Sequence, residues 1–189
     1  MKILSRIVLL SGIALLAATA KTPERIENFS LNDYNGEKVS FSDYHDSKAV
    51  VLMFIATQCP VSNAYNERYD ALYDDYTTKG IAFVGINSNK QESVDEIKEH
   101  AKEHHFKFPV LKDVNNIIAD KLGAEHTPEI FVVIPSTMEV VYHGRIDDSR
   151  REDKITSRDL RNALDEILAG KAVAVHETKA FGCTIKRVD

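Results

Sequence analysis

Residues 49–60 read AVVLMFIATQCP, an unbroken apolar run that ends in a polar turn and a cysteine followed by proline. A strand with one wet face would alternate apolar and polar residues. Ala49 to Ala56 does not alternate, which predicts a strand covered on both faces, the situation of a parallel sheet inside an α/β domain. Cys59 falls where that strand gives way to a predicted helix. Pro60 suits the first helical turn, where a missing N–H leaves no bond unmade. Unpaired N–H groups and the helix dipole at such a turn favour an anion. A thiol placed there is drawn toward thiolate, the form that attacks disulfides and peroxides.

Working outward, Val61 to Lys79 places Tyr65, Tyr69, Tyr73 and Tyr76 at helical spacing, with Gly80 as a stop signal. Such a stripe suits a buried helix face or a docking surface for a partner. Ile81 to Ile86 reads as a second buried strand, and Ser93 with Glu96 forms a capping box for a helix from about Val94 to His105. Phe108 to Leu111 supplies a short strand, and Asp113 caps a short helix through Leu122, closed by Gly123. Glu129 to Ile134 and Glu139 to His143 then form a hairpin across Pro135-Ser136-Thr137-Met138. Thr156 with Asp159 starts a last helix, Leu160 to Leu168, which Gly170 ends. Parallel β-α-β units followed by an antiparallel hairpin and a helix predict an α/β fold with a mixed central sheet and helices on both faces.

Composition agrees with one folded domain. Hydrophobic residues make up 43% and charged residues 28% of 189 positions, which excludes disordered, collagenous and multi-span membrane classes. With 24 Lys and Arg against 29 Asp and Glu and no basic stripe, no nucleic-acid partner is expected. At the amino terminus, Lys2 and Arg6 precede an apolar run from Ile7 to Ala18 that leads into Ala18-Thr19-Ala20. This is the pattern of a signal peptide over residues 1–20, cleaved after Ala20; a retained anchor is the alternative. No cysteine follows the run at once, so lipid attachment is disfavoured. The expected product is exported, periplasmic or secreted, and off the membrane after cleavage. Both cysteines would then meet an oxidising compartment. Residues 21–170 form the predicted domain, and 171–189 a tail that carries Cys183.

A second signal is Thr127-Pro128 before the strand Glu129 to Ile134. Held cis, that proline would leave the preceding carbonyl open to pair with a substrate backbone. The segments FIATQCPVSNAY, HTPEIFVVI and VVYHGRIDD together resemble the redoxin branch of the thioredoxin-like superfamily, with its alkyl hydroperoxide reductase, thiol-specific antioxidant and exported thiol–disulfide oxidoreductase members. The resemblance runs from about Pro23 to Leu168. It implies a thioredoxin-like fold, Cys59 as nucleophile and Pro128 as a cis-proline beside it. Thr127, Thr57 and His126 are implied as substrate-positioning neighbours, with a thiol, disulfide protein or peroxide as substrate and a separate reductant.

The departures are specific. Cys59-Pro60-Val61-Ser62 has a hydroxyl where a dithiol enzyme has its second thiol, and the P-x-x-x-T-x-x-C spacing of peroxiredoxins is not met, since Leu52 and Ala56 stand in those places. Cys183, in FGCTIK, is left to complete the pair, as the resolving thiol or as one end of a permanent staple. His100 and His104 stand one turn apart but amid Glu99, Lys102 and Glu103, so no metal and no cofactor is expected. Arg145, Asp147 and Asp148 read as solvated turn charges or as a polar rim to the thiol site. Gln58 and Asn63 can hydrogen-bond substrate. Two other functions remain open: copper handling, with His126 or His176 joining the thiols, and a non-catalytic binding domain whose Cys59–Cys183 disulfide is structural.

Overall fold

A computed structural model of the chain describes residues 22–188. The expected signal peptide, residues 1–20, lies outside the described residues. The first strands of the described residues form a hairpin that their short polar sequences do not announce, β1 (Ser30–Asp33) and β2 (Lys38–Ser40). Asp33 builds the turn, its carboxylate accepting from the N–H groups of Asn35 and Glu37.

β3 (Ala49–Phe54) follows, and all six of its residues are fully buried. Beyond the Cys59 turn the expected single helix is two, α1 (Pro60–Asn63) and α2 (Asn66–Tyr76), with a 3₁₀ turn at Thr77–Lys79. The break has no Gly or Pro to mark it. Tyr65 sits there because its N–H bonds the Ser62 carbonyl at 2.9 Å and its hydroxyl reaches Asp147 at 2.8 Å, a tie from a distant part of the chain.

β4 (Ile81–Asn87), α3 (Val94–Glu103) and β5 (Val110–Lys112) continue the β-α-β order, and the Ser93–Glu96 capping box is present. Asp113 caps α4 (Ile117–Leu122) from a distance, its carboxylate accepting from the N–H of Ile118 and Ala119 across an intervening 3₁₀ turn. A two-residue strand β6 (His126–Thr127), then β7 (Glu129–Ile134), β8 (Glu139–Gly144) and α5 (Asp159–Leu168), lead to a last short strand β9 (Cys183–Thr184). Thr156 does not cap α5. The N-cap residue is Arg158, and Thr156 instead donates its hydroxyl to Asp148.

The sheet order is β2-β1-β5-β4-β3-β7-β8, which sets the apolar runs of β4, β3 and β7 side by side. β4 runs parallel to β3 and β5, while β7 and β8 are antiparallel additions. Alternate residues of β3 feed opposite faces. Val51 and Met53 join Tyr69 and Leu72 of α2, Ile97 of α3 and Leu160 and Leu164 of α5; Val50, Leu52 and Phe54 join Ile118 and Leu122 of α4. The mixed sheet with helices on both faces is therefore as expected. Tyr65, Tyr69 and Tyr76 are buried at 3% exposure or less, so the tyrosine stripe is core, and a docking face there is corrected. Residues after α5 are part of the packing: Phe181 lies against the first cluster and Ile185 inside the second. Between those two residues the tail crosses from one face of the sheet to the other.

Candidate active site

Cys59 is the N-cap of α1, and its sulfur accepts the Ser62 N–H at 3.3 Å. Because α1 spans four residues and α2 starts anew, the sulfur faces one short turn, where the sequence predicts the dipole of a long helix. Cys59 is 4% exposed. Its neighbour Ser62, 1% exposed, donates no sulfur chemistry: its hydroxyl accepts from the Ala56 N–H at 3.1 Å and pairs with the Tyr69 hydroxyl at 3.2 Å. Burial pushes the pKa of Tyr69 well above the ordinary tyrosine value, so the phenol stays neutral.

Glu92 shapes the approach to Cys59. It is 1% exposed, and its carboxylate accepts from the N–H of Thr57 at 2.8 Å and of Gln58 at 3.1 Å. Asn87 and Asn89 side-chain amides complete its shell at 2.5 and 3.1 Å. Lys112 donates to the backbone carbonyls of Asn89 and Glu92 at 2.6 and 2.7 Å, and burial lowers its pKa, with Glu92 and Asp113 opposing. Sequence reasoning passes over Glu92 because it sits in a polar run beside a helix cap. Its one legible signal is position, at the carboxyl end of a strand parallel to β3, where α/β sheets place their sites.

The Thr127–Pro128 peptide bond is cis, and the Thr127 carbonyl oxygen lies 3.2 Å from Cys59 Sγ. That backbone is not open, as the sequence reading has it. β6 pairs antiparallel with β9, setting Thr127 against Cys183 and His126 against Thr184. Cys59 and Cys183 form a disulfide, with Cα atoms 5.9 Å apart. Gly182 makes the approach possible, since a methyl group there would lie 2.7 Å from the carbonyl carbon of Thr127. The strand is held on both sides. Phe181 packs near Tyr65 with ring centroids 6.5 Å apart, the Ile185 N–H bonds the Glu125 carbonyl at 2.9 Å, and Lys186 N–H bonds Asn89 Oδ1 at 2.7 Å.

Glu129, 3% exposed, fixes the other side of the cis-proline turn. Its carboxylate accepts from the N–H of Glu125 and His126, both at 2.7 Å, and from His143 Nε2 at 2.6 Å. Burial alone would raise the Glu129 pKa, but the bonds from His143 and from the two backbone N–H groups hold it below the usual carboxylate value. His126 brings its backbone to the site; the ring has Glu129 as neighbour, Nδ1 to Oε2 being 3.9 Å. The hydroxyls of Thr57 and Thr127 are buried without a partner among the described residues.

Other expected residues lie as follows. Asp147 is 3% exposed, accepting from Tyr65 and from Arg68 at 2.7 Å, which corrects its reading as a solvated charge. Arg145 pairs with Asp159 at 2.7 Å. Gln58 donates to Glu96 and Asn63 to the Thr57 carbonyl. The rings of His100 and His104 are 4.4 Å apart, and no group of three or more His, Cys, Asp or Glu is arranged to hold a metal among the described residues. His176 directs Nδ1 to the Val141 carbonyl, so the copper reading has no assembled donor set there.

A thioredoxin-like sheet with a cysteine at the end of its central strand and a cis-proline turn beside it defines a redoxin. The AhpC/TSA family model matches residues 23–149, and the chain belongs to that family. Among curated proteins it is similar to thiol-disulfide oxidoreductase ResA of Bacillus thuringiensis subsp. konkukian, 26% identical over 106 residues, 56% of this chain and 60% of that protein. The chain thus spans about three-fifths of the length of that relative. Among solved structures, an uncharacterized conserved protein from Geobacillus kaustophilus is 32% identical with a TM-score of 0.82, covering 89% of this chain and 93% of that one. Peroxidoxin BcpB from Mycobacterium tuberculosis shares the fold at 21% identity and TM-score 0.54, over 82% and 94% of the two chains.

Proposed function

We propose that this chain is a thiol–disulfide oxidoreductase acting on disulfides carried by polypeptides, with Cys59 as nucleophile and Cys183 as resolving thiol. One observation carries the reading: an extended polypeptide strand already sits on the Thr127 backbone with its cysteine bonded to Cys59. A site that seats a strand in this way is suited to a peptide disulfide, whereas a hydroperoxide has no backbone to pair. In the reduced chain, Cys59 thiolate attacks a substrate disulfide, forming a mixed disulfide and releasing one substrate thiolate. Cys183 thiolate then attacks Cys59 Sγ, which releases the second substrate thiolate and restores the Cys59–Cys183 bond. Two electrons pass to the substrate. Ser62, buried and engaged by Ala56 and Tyr69, leaves the second step to Cys183.

In this reading Thr127 and Pro128 position the incoming backbone, Thr57 lines the approach to Cys59, and His126 extends the pairing edge. Cys59 and Cys183 forming a bond fits an oxidising compartment, and the Lys2-to-Ala20 pattern supplies the route by export. The test is turnover with a dithiol donor and either a disulfide-linked peptide or an alkyl hydroperoxide. Peptide reduction should dominate; Cys183→Ser should stop after one mixed disulfide and Cys59→Ser should do nothing. Faster consumption of hydroperoxide would overturn the substrate assignment.

A further inference from the structure

The Cys59–Cys183 bond has to be reopened each cycle, and its two ends differ in ways that decide where. Cys59 is 4% exposed, sunk between the Thr127 carbonyl and the first turn of α1. Cys183 is half-buried, on a two-residue strand flanked by exposed Thr184. A groove of about 280 Å³ opens onto the bond, lined by both cysteines with Gln58, Gln91, Thr184 and Lys186 along its sides, so the difference in access rests on the burial of the two residues. Polar side chains edge a lining that also carries apolar surface, suited to a partner that presents a thiol on an exposed turn.

Displacement adds a second, independent asymmetry. A thiolate attacks one sulfur and expels the other, and the sulfur that better bears negative charge leaves faster. Cys59 Sγ already accepts the Ser62 N–H at 3.3 Å, a bond that strengthens as charge develops and works against the repulsion of the Thr127 carbonyl oxygen at 3.2 Å. Access and departure therefore select the same direction.

We infer that the reductant enters through Cys183: a dithiol donor attacks Cys183 Sγ in the Gln58–Gln91–Lys186 groove and Cys59 leaves as thiolate. This rests on the proposed oxidoreductase cycle and gives its two sulfurs separate partners. The donor's first thiolate forms a mixed disulfide with Cys183 as the Cys59–Cys183 bond breaks. Its second thiolate attacks the donor's own sulfur in that mixed disulfide and releases Cys183 thiolate. The donor ends as a disulfide, and two electrons reside on Cys59 and Cys183. Substrate is joined to Cys59, the donor to Cys183.

Oxidised full-length chain mixed with N-acetylcysteine, a monothiol that halts the exchange halfway, tests the direction. Excess N-ethylmaleimide added within milliseconds traps the released thiolate, and peptide mapping locates both labels. The N-acetylcysteine disulfide should be on Cys183 and the maleimide on Cys59, at least tenfold over the reverse. An even split, or the adduct on Cys59, overturns the inference and leaves the oxidoreductase cycle standing. A disulfide that neither this thiol nor dithiothreitol opens in the folded chain overturns both, because it is then a permanent staple.

Discussion

The turn that carries Cys59 and the tail that carries Cys183 meet in one covalent bond but are built on different principles. The turn grows out of the most buried strand, and Glu92 holds the N–H groups of its leading residues from beneath. The tail has no element of its own longer than two residues; it borrows the backbone of Thr127, the Glu125 carbonyl and the side chain of Asn89. A site assembled this way fixes Cys59 from the core and Cys183 through contacts borrowed from other elements. The difference is one of support: the turn rests on β3 and Glu92, while the tail is tied by edge bonds and by the packing of Phe181 and Ile185.

The largest effect separates covalent from noncovalent seating of the tail. Closing a loop across a sequence separation of 124 residues stabilises by about 5 kcal/mol in the chain-entropy account. Cys59→Ser and Cys183→Ser should each lose about that amount in denaturant unfolding, and lose it equally, although they differ completely in substrate capture. Unequal losses would mean that one cysteine contributes packing beyond the bond.

The turn is probed by Glu92→Ala, which strands the N–H groups of Thr57 and Gln58 and two buried amides. A cost of about 3 kcal/mol is expected, from hydrogen bonds to a charged acceptor. Capture of a peptide disulfide by Cys59 should slow with it. If stability falls while capture is untouched, the turn is not what positions the sulfur.

Gly182→Ala acts on the tail alone. Its new methyl group meets the Thr127 backbone, a misfit of about 1–3 kcal/mol. It should shift the dithiol equilibrium toward the reduced chain, measured against a glutathione or dithiothreitol ratio. An unchanged equilibrium would show that the strand pairing of Thr127 with Cys183 is dispensable for forming the bond.

Glu129 gives the smallest effect, a matter of pH. Its folded pKa is held below the ordinary 4.5, so its contribution is present above about that value and is lost as pH falls through the lower folded value. Wild-type unfolding midpoints should drop more steeply below pH 4.5 than those of Glu129→Gln. Parallel curves would remove the carboxylate from the account of the cis-proline turn.

The contrast between turn and tail also explains what the sequence could disclose. The apolar run from Ala49 and the Cys59-Pro60 step are local signals, and both the buried central strand and the N-cap cysteine follow from them. The break at Ala64–Tyr65 is not local, since the tyrosine spacing continues across it and the cause is Asp147, far along the chain. The β1–β2 hairpin is missed for a different reason: SLND and KVS are too short and polar to show a period. In the site, cysteines and Thr127-Pro128 stand out by type, whereas Glu92 and Glu129 act through burial, which an isolated Glu does not reveal. That the tail covers the Thr127 edge depends on chain path, and FGCTIK offers no periodicity from which to read it.

The central claim, that Cys59 begins the chemistry and Cys183 ends it, is tested most directly by capture rates at pH 6, where an ordinary thiol is almost wholly protonated. Reduced Cys183→Ser and reduced Cys59→Ser, each with one thiol, are mixed with the same disulfide-linked peptide and the mixed disulfide is followed by mass. Cys183→Ser should react at least tenfold faster, and its adduct should persist. Equal rates, or faster capture by Cys59→Ser, would contradict that claim.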